Sequence, residues 1–214
     1  MKWAITHFLK KNPEPHILLD PKQKLKIGHA GTLDPLATGL LLVCTGKKTK
    51  EISLLQDLTK EYTGTFFLGA TTPCFDLEKE IDEHFPTEHI TEELIREAAK
   101  HFTGTQMQEP PIFSAVKIKG QRAYDMARAG ETFVVHSKEI TISEFEITRI
   151  AIPEVDFRIV CSKGTYIRSI ARDFGKKLNS GAYLQALCRS RIGNYELKDA
   201  LELESFVAQL VKQS

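Results

Sequence analysis

Three stretches of alternating or β-branched sequence, interleaved with two amphipathic helical ones, most constrain what this chain can fold into. Tyr62 to Ala70 alternates, with Tyr62, Gly64, Phe66 and Leu68 on one face. Phe133 to Ile150 is rich in β-branched residues, and Val155 to Cys161 repeats that signal. Between the first two, Thr91 opens a helix whose first turn carries Glu92 and Glu93, where the helix dipole favours acids. Leu94, Ile95, Ala98, Ala99 and Phe102 form its apolar stripe. From Thr165 onward, Ile167, Ile170, Ala171, Phe174 and Leu178 again have helical spacing. Leu40 to Cys44 reads as a buried strand, Thr49 to Leu58 as a helix, and Ile112 to Ile118 as a strand turning at Lys119-Gly120. Short helices are expected over residues 2–11, over Ala123 to Ala129 before Gly130, and over Leu203 to Val211. Strands outnumber helices and the two are mixed, so the expected fold class is α+β, built around an antiparallel sheet.

Bulk properties narrow the function. The longest unbroken apolar run, Leu40 to Cys44, is far too short to span a bilayer, and the N-terminus has no signal-peptide pattern. Cys44, Cys74, Cys161 and Cys188 lie far apart without ligand spacing, and read as small apolar residues of a reducing, cytoplasmic setting. The net charge of +1 hides a segregation. Asp76 to Glu97 holds nine acids against Lys79 and Arg96, while Arg158 to Arg191 holds eight bases against Asp173 alone. Either these are two solvated faces, or the basic one meets phosphate.

The stretch Gly28-His29-Ala30-Gly31-Thr32-Leu33-Asp34-Pro35-Leu36-Ala37-Thr38-Gly39 carries the sharpest chemical signal. From Lys22 to Lys50, Asp34 is the only acid, set against Lys22, Lys24, Lys26, Lys47, Lys48 and Lys50. A lone carboxylate in a basic, glycine-rich loop can be held ionised while its surroundings bind an anion. Pro35 biases Asp34 out of any helix. A plain solvent-facing turn has the same composition.

This run resembles the catalytic motif of the tRNA pseudouridine synthase B (TruB) family. The resemblance continues through Lys60-Glu61-Tyr62, Pro110 to Lys117, Gln121 to Glu131, Lys163 to Ser169, and Leu184 to Ala200, five blocks in family order. It implies a mixed, largely antiparallel pseudouridine synthase-like sheet flanked by helices, with the active site in a central cleft. It also implies an activity: conversion of the T-loop uridine of tRNA, uridine-55, to pseudouridine. That rearrangement breaks the bond from N1 to the ribose and forms one through C5, so it calls for no redox cofactor and no metal-bound hydroxide. It needs an ionised carboxylate beside the ribose, a pocket that retains the detached base, and extrusion of the target from its stack.

By this resemblance Asp34 is the catalytic carboxylate, as nucleophile or as the base that removes a ribose proton. Arg168 matches the arginine that pairs with it, against the plainer reading of a surface or phosphate-binding arginine. Tyr62 matches the tyrosine that stacks on the flipped base, although periodicity alone makes it a core residue. His29 resembles the residue that enters the RNA loop in place of the flipped base. Lys117 can meet phosphate, or be an exposed strand lysine. Leu187 can line the uracil pocket, or be plain core. Asp76, in Thr71-Thr72-Pro73-Cys74-Phe75-Asp76, matches a family acid whose role stays open.

Two departures stand out. The chain starts just after the strand and Lys-Pro-x-Gly element with which most members begin. After Ala200 only about one helix remains, so residues 1–214 are expected to be one catalytic domain without the C-terminal PUA domain of longer relatives. The expected partner is the tRNA T stem-loop, bound by a monomer. A sister enzyme acting on another RNA, such as ribosomal RNA, is the first competing reading. A non-catalytic RNA-binding or folding module is the second, and retention of Asp34, Tyr62 and Arg168 together argues against it. A metal-dependent hydrolase is distant, since seven scattered histidines make no ligand cluster.

Overall fold

A computed structural model describes residues 26–111, 117–118, 121–122, 136–202 and 205–206. The expected helices over 2–11 and 123–129 lie outside the described residues, as does nearly all of the helix over 203–211. In chain order the elements begin with β1 (Ile27–His29), β2 (Thr38–Gly39), β3 (Val43–Thr45) and a 3-10 turn over Gly46–Glu51 that leads into α1 (Ile52–Asp57). Next come β4 (Lys60–Leu68), β5 (Ala70–Thr71), β6 (Glu83–His84), α2 (Glu92–His101) and β7 (Gly104–Gln108). The hairpin β8 (Lys117–Ile118) and β9 (Gln121–Arg122) follows, then β10 (Lys138–Ala151), β11 (Glu154–Cys161), α3 (Ile167–Lys177), β12 (Ala182–Ile192) and β13 (Tyr195–Glu196).

The three alternating segments supply the middle of a seven-stranded sheet in the order β13-β12-β4-β11-β10-β7. Every pairing along that order is antiparallel, and β2 joins β12 in parallel. The α+β expectation therefore holds. Side chains of period two put Phe66 and Leu68 of β4 on the buried face, where α3 packs against β12 and α2 against β10. Phe66 stacks on Phe157 with ring centroids 4.2 Å apart and meets Phe174 of α3 at 5.4 Å, so one aromatic cluster joins sheet to helix. Gly64 sits where β12 bulges between Leu184 and Ala186. A Cβ there would fall 2.2 Å from the Ala186 carbonyl oxygen, so only glycine lets the two strands close.

Three expectations need adjusting. The strand expected over Leu40 to Cys44 is Val43–Thr45, and Leu40 is buried just outside it. Leu94 is exposed rather than part of the α2 stripe, because the buried face is set by Ile95, Ala98, Ala99 and Phe102 and Leu94 falls at its margin. The basic stretch is not one free face. Arg158 pairs with Glu61, Glu144 and Glu146, Lys163 with Asp57, Arg172 with Asp173, and Arg191 with Glu61. Arg168 and Arg189 are buried. Of the eight bases, only Lys176 and Lys177 are exposed without an ion-pair partner among the described residues.

Candidate active site

Asp34 rides on the connection between β1 and β2. The Ala37 N–H donates to the Asp34 carbonyl at 3.0 Å, closing a turn around Pro35 and Leu36 and leaving the carboxylate half-exposed. Arg168 lies in the first turn of α3, 134 residues away in sequence. Its Nε donates to Asp34 Oδ2 at 3.1 Å and its Nη2 to Oδ1 at 2.9 Å. This is a bidentate fork, the geometry that fixes the plane of a carboxylate as well as its charge.

The fork is itself held. Arg168 Nη1 donates to the Cys74 carbonyl at 3.3 Å, and Asp76 Oδ2 lies 3.5 Å from Nε on the buried side. The other Asp76 oxygen accepts from the Glu78 N–H at 3.0 Å. One buried guanidinium is thus flanked by two carboxylates, one hidden and one open to solvent. A lone buried arginine would be costly, and two acids offset that cost while limiting how far the side chain can swing. The start of α3 is clamped in turn. Gln108 accepts from the Tyr166 N–H at 2.8 Å and donates to the Tyr166 carbonyl at 3.0 Å, while Ser169 Oγ donates to the Glu109 carbonyl at 2.8 Å. The Lys138 ammonium lies 4.3 Å from the centre of the Tyr166 ring.

Tyr62, on β4, is half-buried at the margin of the core. Burial pushes its hydroxyl above the usual tyrosine range; the Asp34 charge acts in the same direction and the Arg189 guanidinium opposes it. Tyr62 therefore lies within electrostatic reach of the Asp34 loop. Both readings of Tyr62 fit this position, since its ring packs on the core while its hydroxyl faces charge.

Other candidates are placed less tightly. His29 is opposite Val43 on β1, half-buried, with Nδ1 out of solvent and without a hydrogen-bond partner among the described residues. Leu187 is on β12 opposite Gly64, partly buried against the core, and its carbonyl accepts from Thr38 Oγ1 at 3.3 Å. Lys117 pairs with Arg122 across the β8–β9 hairpin, and its side chain lies outside what is described. Sequence reasoning left Asp76 without a role and passed over Gln108 and Arg189. No local pattern marks a residue whose only partners are more than fifty residues away.

The comparison with known families decides among readings of this geometry. Residues 18–167 match the family model described as TruB family pseudouridylate synthase, N-terminal domain. The chain belongs to the TruB family. Among its relatives is the tRNA pseudouridine synthase B of Flavobacterium johnsoniae, 59% identical, with 98% of this chain and 92% of that protein covered. Another is the tRNA pseudouridine synthase B of Phocaeicola vulgatus, 56% identical over 89% of this chain and 81% of that one. Among solved structures, the chain is similar to one in a crystal structure of a Cbf5-Nop10-Gar1 complex, with a TM-score of 0.65 and 28% identity. That match covers 86% of this chain but 45% of the other. A structure of an H/ACA RNP bound to a substrate RNA containing 2′-deoxyuridine, at 24% identity and a TM-score of 0.62, shares the fold. The TruB assignment makes this chain a pseudouridine synthase, an RNA-binding isomerase of tRNA processing.

Proposed function

We propose that the chain converts uridine-55 in the tRNA T-loop to pseudouridine, with Asp34 as the catalytic carboxylate. The observation that carries this reading is the bidentate bond from Arg168, which presents an oriented, half-exposed carboxylate. Once the target uridine is flipped toward it, Asp34 attacks C1′ or takes a proton from C2′; in either case the N1 glycosidic bond breaks. The freed uracil turns, C5 bonds to C1′, the C5 proton is lost and N1 gains one. The product is an isomer of the substrate, so atoms and electrons balance without an added reactant.

In this reading Arg168 holds Asp34 in plane, and Asp76 holds Arg168. Tyr62 stacks on the flipped base and its hydroxyl, pushed up by burial, is protonated at neutral pH in the resting enzyme. Leu187 closes the pocket on the base, His29 fills the gap left in the RNA loop, and Lys117 contacts phosphate. The bound species is the T stem-loop.

The test uses unmodified tRNA transcript incubated with the parent and with Asp34→Asn, followed by mapping of pseudouridine by position. Product at uridine-55 from the parent and none from the variant is expected. Product at another position, or in ribosomal RNA instead, would replace the substrate assignment. Binding without product would favour a non-catalytic RNA module.

A further inference from the structure

Arg189 is the largest fully buried side chain among the described residues. The groups it bonds there belong to the Asp34 loop or face it. Its Nε donates to the Leu40 carbonyl at 2.8 Å, and its Nη2 to the Gly31 carbonyl at 3.1 Å. Its own carbonyl accepts from the Leu40 N–H at 2.8 Å. Gly31 and Leu40 bracket Asp34 on both sides, so one guanidinium ties the two stems of the loop to β12.

The backbone is fitted to the same contact. Thr38 and Gly39 pair in parallel with Cys188 and Arg189. At Gly39 φ is +104°, and a Cβ would fall 2.4 Å from the Arg189 carbonyl oxygen, so the loop can approach this closely only as glycine. Across the sheet, Arg189 is in register with Tyr62 on β4. Its charge acts on the Tyr62 hydroxyl against the effect of burial. Among the described residues no carboxylate lies within 4.0 Å of Arg189, in contrast to the doubly paired Arg168. A structural ion pair does not explain a buried charge placed here. Its bonds to two carbonyls of the Asp34 loop, from a position in register with Tyr62, do.

We propose that Arg189 is a positioning residue for catalysis, holding the Asp34 loop in a fixed place beside Tyr62 of β4. The inference rests on Asp34 and Tyr62 acting as proposed above. Arg189 touches no reacting atom; it acts through the two residues that do. A guanidinium is required because one planar group must reach two carbonyls in different directions, which an ammonium on a flexible stem does poorly.

The test is single-turnover pseudouridine formation at saturating enzyme, with RNA affinity measured in parallel, for the parent, Asp34→Asn, Arg189→Met and Arg189→Lys. Product from the parent and none from Asp34→Asn first establishes the underlying reading; a parent without product overturns that reading and this inference with it. Arg189→Met is expected to slow the chemical step by at least about tenfold while the Kd for RNA moves by less than about threefold. Arg189→Lys should restore part of the rate. In a Tyr62→Phe background the loss from Arg189→Met should shrink, because one of its two routes is already cut. An active parent whose folded Arg189→Met variant keeps its rate within about threefold overturns the proposal alone, as does a loss that resides wholly in Kd. Should Arg189→Met fail to fold, Arg189→Lys decides: a folded lysine variant at the full parental rate overturns the proposal, and a slowed one with parental affinity supports it.

Discussion

At the scale of single residues, the site depends on what a guanidinium can do and an ammonium cannot. Arg168 uses Nε and Nη2 on Asp34, Nη1 on the Cys74 carbonyl, and shares Nε with Asp76. Arg168→Lys keeps the charge that offsets Asp76 but has no fork to align the Asp34 carboxylate. We expect that variant to fold and to bind tRNA as the parent does, with a single-turnover rate lower by about a hundredfold. Circular dichroism with a rapid-quench assay would check this, and a parental rate would mean that charge alone, without orientation, is what Asp34 needs. The pairing of Asp34 with Arg168 was legible in the sequence because the residue types fit and their motifs resemble a known family. Asp76 was visible only as a matching letter. Its burial behind Arg168 depends on the turn Thr72–Asp76, in which Thr72 Oγ1 and Cys74 Sγ both donate to the Asp76 carbonyl, and nothing in composition announces that turn.

At the scale of elements, the residues that matter are those that fix where α3 begins. Tyr166 caps that helix without a side-chain cap bond, so the orientation of its first turn falls to Gln108 at the end of β7. Gln108→Ala removes two bonds to the Tyr166 backbone at once, although the Tyr166 carbonyl keeps the Ile170 N–H at 3.2 Å. The expected cost is about 1–3 kcal/mol. Urea unfolding would measure it, and the loss of activity should exceed the loss of stability at temperatures where the variant is still folded, since Arg168 is two residues from the freed backbone. A variant as stable as the parent would show that water or Ser169 can replace the clamp. The same scale explains which strands could be read in advance. β4 and β11 were recognisable from alternation and β-branched content, and β10, although its register shifts twice, from its β-branched residues. β12 was recognised only as a family block, because the bulge between Leu184 and Ala186 breaks its alternation and Arg189 places a charge on what is a buried position. Periodicity rules presume that buried positions are apolar, and they fail where function has put a cation in the core.

At the scale of the whole molecule, the distribution of charge is not what its linear arrangement suggests. Counting bases from Arg158 to Arg191 points to an RNA face, yet five of the eight pair with acids, Arg158 and Arg191 doing so across strands. A cross-strand pairing brings together residues far apart in sequence, so a segment's net charge says little about the surface it helps to form. Exposed cations without ion-pair partners among the described residues include Lys26, Lys47 and Lys50, gathered at the end of the β1–β3 ladder away from the Asp34 connection. The Gly46 N–H donates to the Lys26 carbonyl at 2.8 Å, which sets Lys26 beside the turn that carries the other two. Lys48, between them, is taken up by Glu51 at 2.8 Å. Phosphates of a bound T stem-loop would meet this edge as the target base enters the site. Replacing both Lys47 and Lys50 by glutamine should then weaken tRNA binding and flatten its dependence on log salt by about 1.4 to 1.8, since each phosphate no longer neutralised lowers the slope by roughly 0.7–0.9. Arg158→Gln, whose guanidinium already serves Glu144, should leave that slope unchanged. A salt titration of binding to unmodified transcript distinguishes the two surfaces. If the arginine variant shifts the slope as far as the lysine pair does, RNA also meets the surface around Arg158, and the approach of substrate to Asp34 must be redrawn from there.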